Sequence, residues 1–139
     1  MSKKRILIVD DDLTCGRILK TGLEKFGGYE VLVELRAMRA VSAARQFRPD
    51  LILLDVCLPD GDGGDVAFLL RSDPQLRNIA IVFLTSIVSE REAQDGSALL
   101  GAFHFLAKPI RLERVIASIE KHLGTTECCN QLSTERKIT

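Results

Sequence analysis

Five short apolar runs punctuate the chain: Ile6–Val9, Val31–Val33, Leu51–Leu54, Ile79–Leu84 and Ala102–Ala107. Most are near-continuous rather than alternating, which suits strands buried on both faces of a parallel sheet. Between them the period becomes helical. Leu19, Leu23 and Phe26 stripe the first helical segment, which ends at Gly27-Gly28, and Ala40, Val41, Ala44 and Phe47 stripe the second. Asp62 is a natural N-cap for the third, and Ser89 with Glu92 has capping-box spacing at the start of the fourth. Gly96 and a mostly polar stretch interrupt that fourth pattern before Leu99 and Leu100. The last helix carries Leu112, Val115, Ile116, Ile119 and Leu123 on one stripe, with Gly124 where a C-terminal cap belongs. Five βα units in a row predict an open, doubly wound α/β sheet, and right-handed crossovers place helices on both faces.

Composition narrows the class. At 139 residues the chain fits one domain, expected over 1–124, with a polar, aperiodic tail over 125–139. Hydrophobic residues make up 46%, enough for a core, and 19 basic side chains cancel 19 acidic ones. That balance gives no electrostatic footprint for nucleic acid or an anionic membrane. The apolar run behind the basic start is too short for a signal-peptide core or a span. Cys15, Cys57, Cys128 and Cys129 form no zinc-ligand spacing, so free thiols in a reducing cytoplasm are expected. His104 and His122 have no second His or Cys at metal spacing and read as rim residues.

In doubly wound sheets, ligands sit beyond the carboxyl ends of the strands. The first run ends in Asp10-Asp11-Asp12, the third in Asp55, the fourth in Thr85-Ser86 and the fifth in Lys108-Pro109; the second ends without an obvious chemical group. With the first and third strands adjacent, Asp10, Asp11 and Asp55 crowd into one pocket. Two carboxylates about 4 Å apart repel by roughly 4 kcal/mol at an effective dielectric near 20. Such a cluster takes up protons or holds a cation, and an all-oxygen site favours Mg²⁺. A divalent cation, an ammonium and a hydroxyl are what phosphoryl transfer needs, because its transition state spreads negative charge over three oxygens. Asp55 is the best-placed nucleophile, since it ends the most apolar run and a loop follows it. Taken alone, Asp10 to Asp12 reads as a polar turn and helix cap, a role retained for Asp12. Gly61, Gly63 and Gly64 read as serving turn geometry.

The ordered set ILIVDDD (6–12), LILLDVCLPDGDG (51–63), FLTS (83–86) and GAFHFLAKPI (101–110) closely resembles response regulator receiver domains, over about residues 4 to 123. The resemblance implies a five-stranded parallel sheet in the order 2-1-3-4-5. It implies that Asp55 accepts a phosphoryl group from a phosphohistidine of a partner kinase or phosphotransfer protein. Asp11, Asp55 and the backbone carbonyl of Cys57 would then ligate Mg²⁺, with Asp10 joining through water. Lys108 would pair with Asp55 or its phosphate, Thr85 would close on the phosphoryl oxygens, and Pro109 would follow a cis peptide that aims Lys108. The switch aromatic is Phe105, where Tyr is common. Cys57 and Ile87 offer no group to position an attacking water, so slow self-dephosphorylation is expected.

The resulting expectation is a signalling switch. Phosphorylation of Asp55, through Thr85 and Phe105, alters the face built from the fourth helix, fifth strand and last helix. Output is expected through binding a downstream protein partner, through passing the phosphoryl group along a relay or through a partner domain, and weak pairing of two copies through that face is expected. A phosphatase or phosphotransferase with an aspartyl-phosphate intermediate is opposed by the sequence, because Asp55 is followed by Val56-Cys57 and so opens no D-x-D motif, and there is no acid for a leaving group. A phosphorylation-independent interaction module is opposed by the completeness of the acidic set.

Overall fold

A computed structural model describes residues 3–85, 104–107 and 110–123. Strand β1 (Arg5–Val9) leads into helix α1 (Leu13–Gly22), then come β2 (Glu30–Glu34), α2 (Ala37–Phe47), β3 (Leu51–Asp55), α3 (Gly63–Ser72), β4 (Ala80–Thr85), β5 (His104–Ala107) and α4 (Leu112–Leu123). The five strands form one sheet in the order β2-β1-β3-β4-β5, and every pair is parallel. This is the doubly wound order expected from the sequence. The predicted helix beginning near Ser89, residues 102–103 of the predicted fifth strand, Lys108, Pro109, Gly124 and the 125–139 tail lie outside the described residues.

The near-continuous apolar runs have a simple cause. Successive strand residues point to opposite faces, and here both faces are covered. Leu7, Val9, Ile52, Leu54, Ile81 and Phe83 pack with Ala40 and Ala44 of α2 and with Val66, Ala67 and Leu70 of α3. Ile6, Ile8, Leu51, Leu53, Val82 and Leu84 pack instead with Leu19 of α1 and with Val115 and Ile119 of α4. The predicted stripes of α2 and α4 are therefore the packed faces, with Val41 and Phe47 at the margin of the first core and Leu112, Ile116 and Leu123 at that of the second.

One predicted core residue is wrong. Phe26 is 70% exposed, although Leu19 and Leu23 of the same stripe are buried. The last turn of the first helix widens into a π-turn over Leu23–Gly27. A π-turn holds more residues per turn, so Phe26 falls short of the stripe and lies beneath the Lys25 ammonium at 5.5 Å. Tyr29 fills the core in its place. Gly28, at φ 70°, closes this turn in the left-handed conformation that favours glycine.

One edge of the sheet is guarded. Strand β2 lies at the edge, and the Lys20 Nζ donates to the Val31 carbonyl at 2.9 Å while pairing with Glu24 at 2.6 Å. A lysine on an edge carbonyl blocks that stretch from pairing with another chain. Among the described helices, none is long and apolar enough to cross a membrane.

Candidate functional site

The parallel sheet carries the ends of β1 and β3 to the same rim, because the two strands pair in register from Ile6–Leu51 to Val9–Leu54. Asp10 follows β1 and Asp55 ends β3, so both carboxylates arrive at one place. Both are buried, Asp10 completely and Asp55 to within 5%, while the neighbouring Asp11 is exposed. One carboxylate oxygen from each of Asp10, Asp11 and Asp55 can be chosen so that all lie within 4.8 Å of one another. The crowding expected from the sequence is therefore real.

The backbone around this cluster is tightly held. Asp10 donates its N–H to the Glu34 carbonyl at 3.0 Å, and its Oδ1 accepts the Asp12 N–H at 3.0 Å. Asp12 caps α1 by accepting the Cys15 N–H at 3.2 Å, as its position predicted. Beyond Asp55, the Val56 N–H donates to the Leu84 carbonyl at 3.0 Å, and Gly63 N–H donates to the Val56 carbonyl at 2.8 Å. Between those two anchors the chain folds into a small antiparallel ladder, Cys57–Leu58 against Gly61–Asp62. The Cys57 backbone is thus fixed two residues beyond Asp55.

Gly63 was read as a turn glycine, but its role is close approach. A Cβ there would sit 2.3 Å from the Asp55 carbonyl oxygen and 2.8 Å from the Val56 Cα, both backbone atoms. Only glycine lets α3 begin directly against the backbone of Asp55. The start of that helix is capped as predicted, with Asp62 accepting the Gly64 N–H at 2.8 Å.

Asp60 was missed by sequence reasoning. Its carboxylate accepts the Ala37 N–H at 2.8 Å and the Met38 N–H at 3.1 Å, capping α2 from 23 and 22 residues away. The residue at the N-cap position itself, Arg36, makes no side-chain cap. The Met38 and Ala37 N–H groups hold the Asp60 carboxyl below the usual carboxylate range. The only signal in the sequence was negative: Leu35-Arg36 offers no capping side chain before a clear helical stripe. Strand β2 likewise ends on a polar group after all, since Glu34 accepts the N–H groups of Leu35 (3.0 Å) and Arg36 (3.3 Å), a local turn role.

Other predicted residues can be placed by backbone. Thr85 ends β4 one position beyond the residue paired with Asp55, opposite Ala107 of β5. Phe105 pairs with Phe83 inside β5. Lys108 and Ile87 lie outside the described residues. His122 is half-buried with its Nδ1 2.8 Å from the Ser118 carbonyl, a helix-internal contact.

As chemistry, the cluster is an all-oxygen donor set. Three carboxylates with oxygens this close fit a hard divalent cation better than any soft metal.

Comparison with known proteins agrees with this geometry. The family model described as "Response regulator receiver domain" matches residues 6–120. The polar-differentiation response regulator DivK of Brucella anthropi is 32% identical over 124 residues, covering 87% of this chain and 97% of DivK. The DNA-binding dual master transcriptional regulator RpaA of Synechocystis is 32% identical over 134 residues, which are 96% of this chain but only 55% of RpaA. Among solved structures, the chemotaxis protein CheY4 of Vibrio cholerae superposes with a TM-score of 0.75 at 28% identity, covering 88% of this chain and all of CheY4. With a match running from the first strand into the last helix, the chain belongs to the response regulator receiver domain family of two-component signalling.

Proposed function

We propose that the chain is a phosphoacceptor switch, with Asp55 taking a phosphoryl group from the phosphohistidine of a partner kinase or phosphotransfer protein. The observation that carries this reading is the meeting of Asp10, Asp11 and Asp55, with oxygens within 4.8 Å, around a nearly buried strand-end carboxylate. An Asp55 carboxylate oxygen attacks phosphorus, the P–N bond to the donor imidazole breaks, and its electron pair stays on the ring nitrogen. Burial strips water from the nucleophile, and the anchored 56–63 segment keeps its direction of attack. Asp11, Asp55 and the Cys57 carbonyl would hold Mg²⁺, with Asp10 joining through water. Mg²⁺, when bound, offsets the charge that three carboxylates and the phosphoryl oxygens would otherwise pile up.

The remaining roles come from the family pattern. Lys108 meets the phosphoryl charge, Thr85 closes on its oxygens, and Phe105 follows Thr85 inward. The outcome is a shift in binding to a downstream protein rather than turnover of a substrate. Domain limits of 1–124 and a cytoplasmic setting belong to the same proposal.

The test is incorporation of phosphoryl from acetyl phosphate, with Mg²⁺ or EDTA, into the natural protein and Asp55→Asn. Uptake needing both Mg²⁺ and Asp55 is expected. Equal labelling of Asp55→Asn, or none in a folded protein also given an active histidine kinase, would overturn the reading.

A further inference from the structure

The opposite rim of the sheet carries a feature that the switch does not use. Lys3, Lys4, Arg5, Arg48 and Asp50 line a groove of about 260 Å³ at the amino ends of β1 and β3. Four cations face one carboxylate there, although the whole chain is neutral. Asp50 is already engaged: its Oδ2 accepts the Arg5 N–H at 2.8 Å, and its own N–H donates to the Arg5 carbonyl at 2.7 Å. Arg5 is likewise committed, with Nη1 donating to the Phe47 carbonyl at 2.9 Å and Nε 3.6 Å from Glu30. Lys3 extends its field to Glu24, while Lys4 and Arg48 make no ion pair with any described residue. Positive charge is therefore in excess in this groove.

Arg48 supplies an independent observation. It is the only described non-glycine residue at positive φ, 53°, and it stands at the C-terminal cap of α2, a position that ordinarily takes glycine or asparagine. The backbone gains nothing from an arginine there. Its guanidinium can, however, present a planar fork of donors to oxyanions.

We infer that this groove binds a multivalent phosphate anion, either a free polyphosphate or the polyphosphate chain of a nucleotide. The groove has room for a small ligand. Cations from two chain segments, 3–5 and 48, suit several linked phosphates better than a single carboxylate. Four strand residues separate Arg5 from Asp10, five steps or roughly 16 Å, so the anion and the acidic cluster would not overlap.

The experiment is calorimetric titration of the full chain at fixed ionic strength with pyrophosphate, tripolyphosphate, a nucleoside triphosphate and the bare nucleoside. Arg48→Gly, Lys4→Gln and a distant Lys121→Gln serve as variants. Saturable 1:1 binding is expected. Arg48→Gly and Lys4→Gln should each weaken it at least about tenfold, as loss of a charged hydrogen-bond partner does, and Lys121→Gln should leave it unchanged. Arg48→Gly relieves the backbone and keeps the fold, so its loss of binding cannot be laid to unfolding. Tighter binding of the nucleotide than of tripolyphosphate identifies a nucleotide site, and equal binding identifies a polyphosphate site. Failure to saturate at millimolar anion, or equal binding by all three variants, would overturn the inference.

Discussion

Strands β1 and β3 have two ends that are built differently. At the amino ends, Arg5 and Asp50 lock the strands together, the Asp50 carboxylate accepting the Arg5 N–H and the Asp50 N–H donating to the Arg5 carbonyl. At the carboxyl ends, Asp10 and Asp55 are buried with like charges held together and Asp11 beside them. Apart from the surplus cations around it, the amino-end lock resembles what stability alone would select. The carboxyl-end cluster works against it, since crowding carboxylates costs free energy that a neighbouring positive charge or a proton must offset. A local conflict of this kind inside an otherwise consistent fold marks where function resides.

The contrast can be broken by mutation, and the largest effect on stability is expected at Gly63. Alanine there drives a Cβ into the Asp55 and Val56 backbone, so Gly63→Ala should destabilise by about 1–3 kcal/mol in denaturant titrations. It should also slow phosphoryl uptake, because the displaced atoms carry the proposed acceptor.

Next comes the cluster itself. Asp10→Asn keeps an oxygen for the Asp12 N–H but removes one buried charge. Without divalent ions it should stabilise the protein by about 1–2 kcal/mol, while weakening Mg²⁺ binding by about tenfold or more. A metal-free variant less stable than the natural protein would mean that the acidic rim is not strained. Mg²⁺ itself should raise the melting temperature of the natural protein more than that of Asp10→Asn.

The smallest effect concerns Asp60, whose folded-state carboxyl titrates below the usual range because two α2 N–H groups favour its charged form. Its contribution is present above the ordinary carboxylate range and is lost as pH falls through the lower folded value. Asp60→Asn should therefore lower the melting temperature by a few degrees at neutral pH, and the difference from the natural protein should shrink in acid. A difference independent of pH would remove the charged cap from the account.

Much of this molecule was legible in its sequence. The continuous runs at Ile6–Val9 and Leu51–Leu54 announced strands covered on both faces, and the aspartates at their ends foretold the cluster. What was not legible depends on contacts between distant segments. Phe26 followed the α-helical stripe, and only the π-turn moves it to solvent. The cap that Asp60 places on α2 spans more than twenty residues, beyond any local capping rule. Gly63 looked like a turn residue because close approach to Asp55 is a tertiary fact.

The central claim is that Asp55, rather than another member of the aspartate-rich rim, is the phosphoacceptor. Borohydride trapping reports this directly, since it reduces an aspartyl phosphate to homoserine at the modified position. After reaction with acetyl phosphate and Mg²⁺, mass spectrometry should find homoserine at position 55 alone, and none when EDTA replaces Mg²⁺. Homoserine at position 10, 11 or 12, or at position 55 regardless of Mg²⁺, would contradict the account.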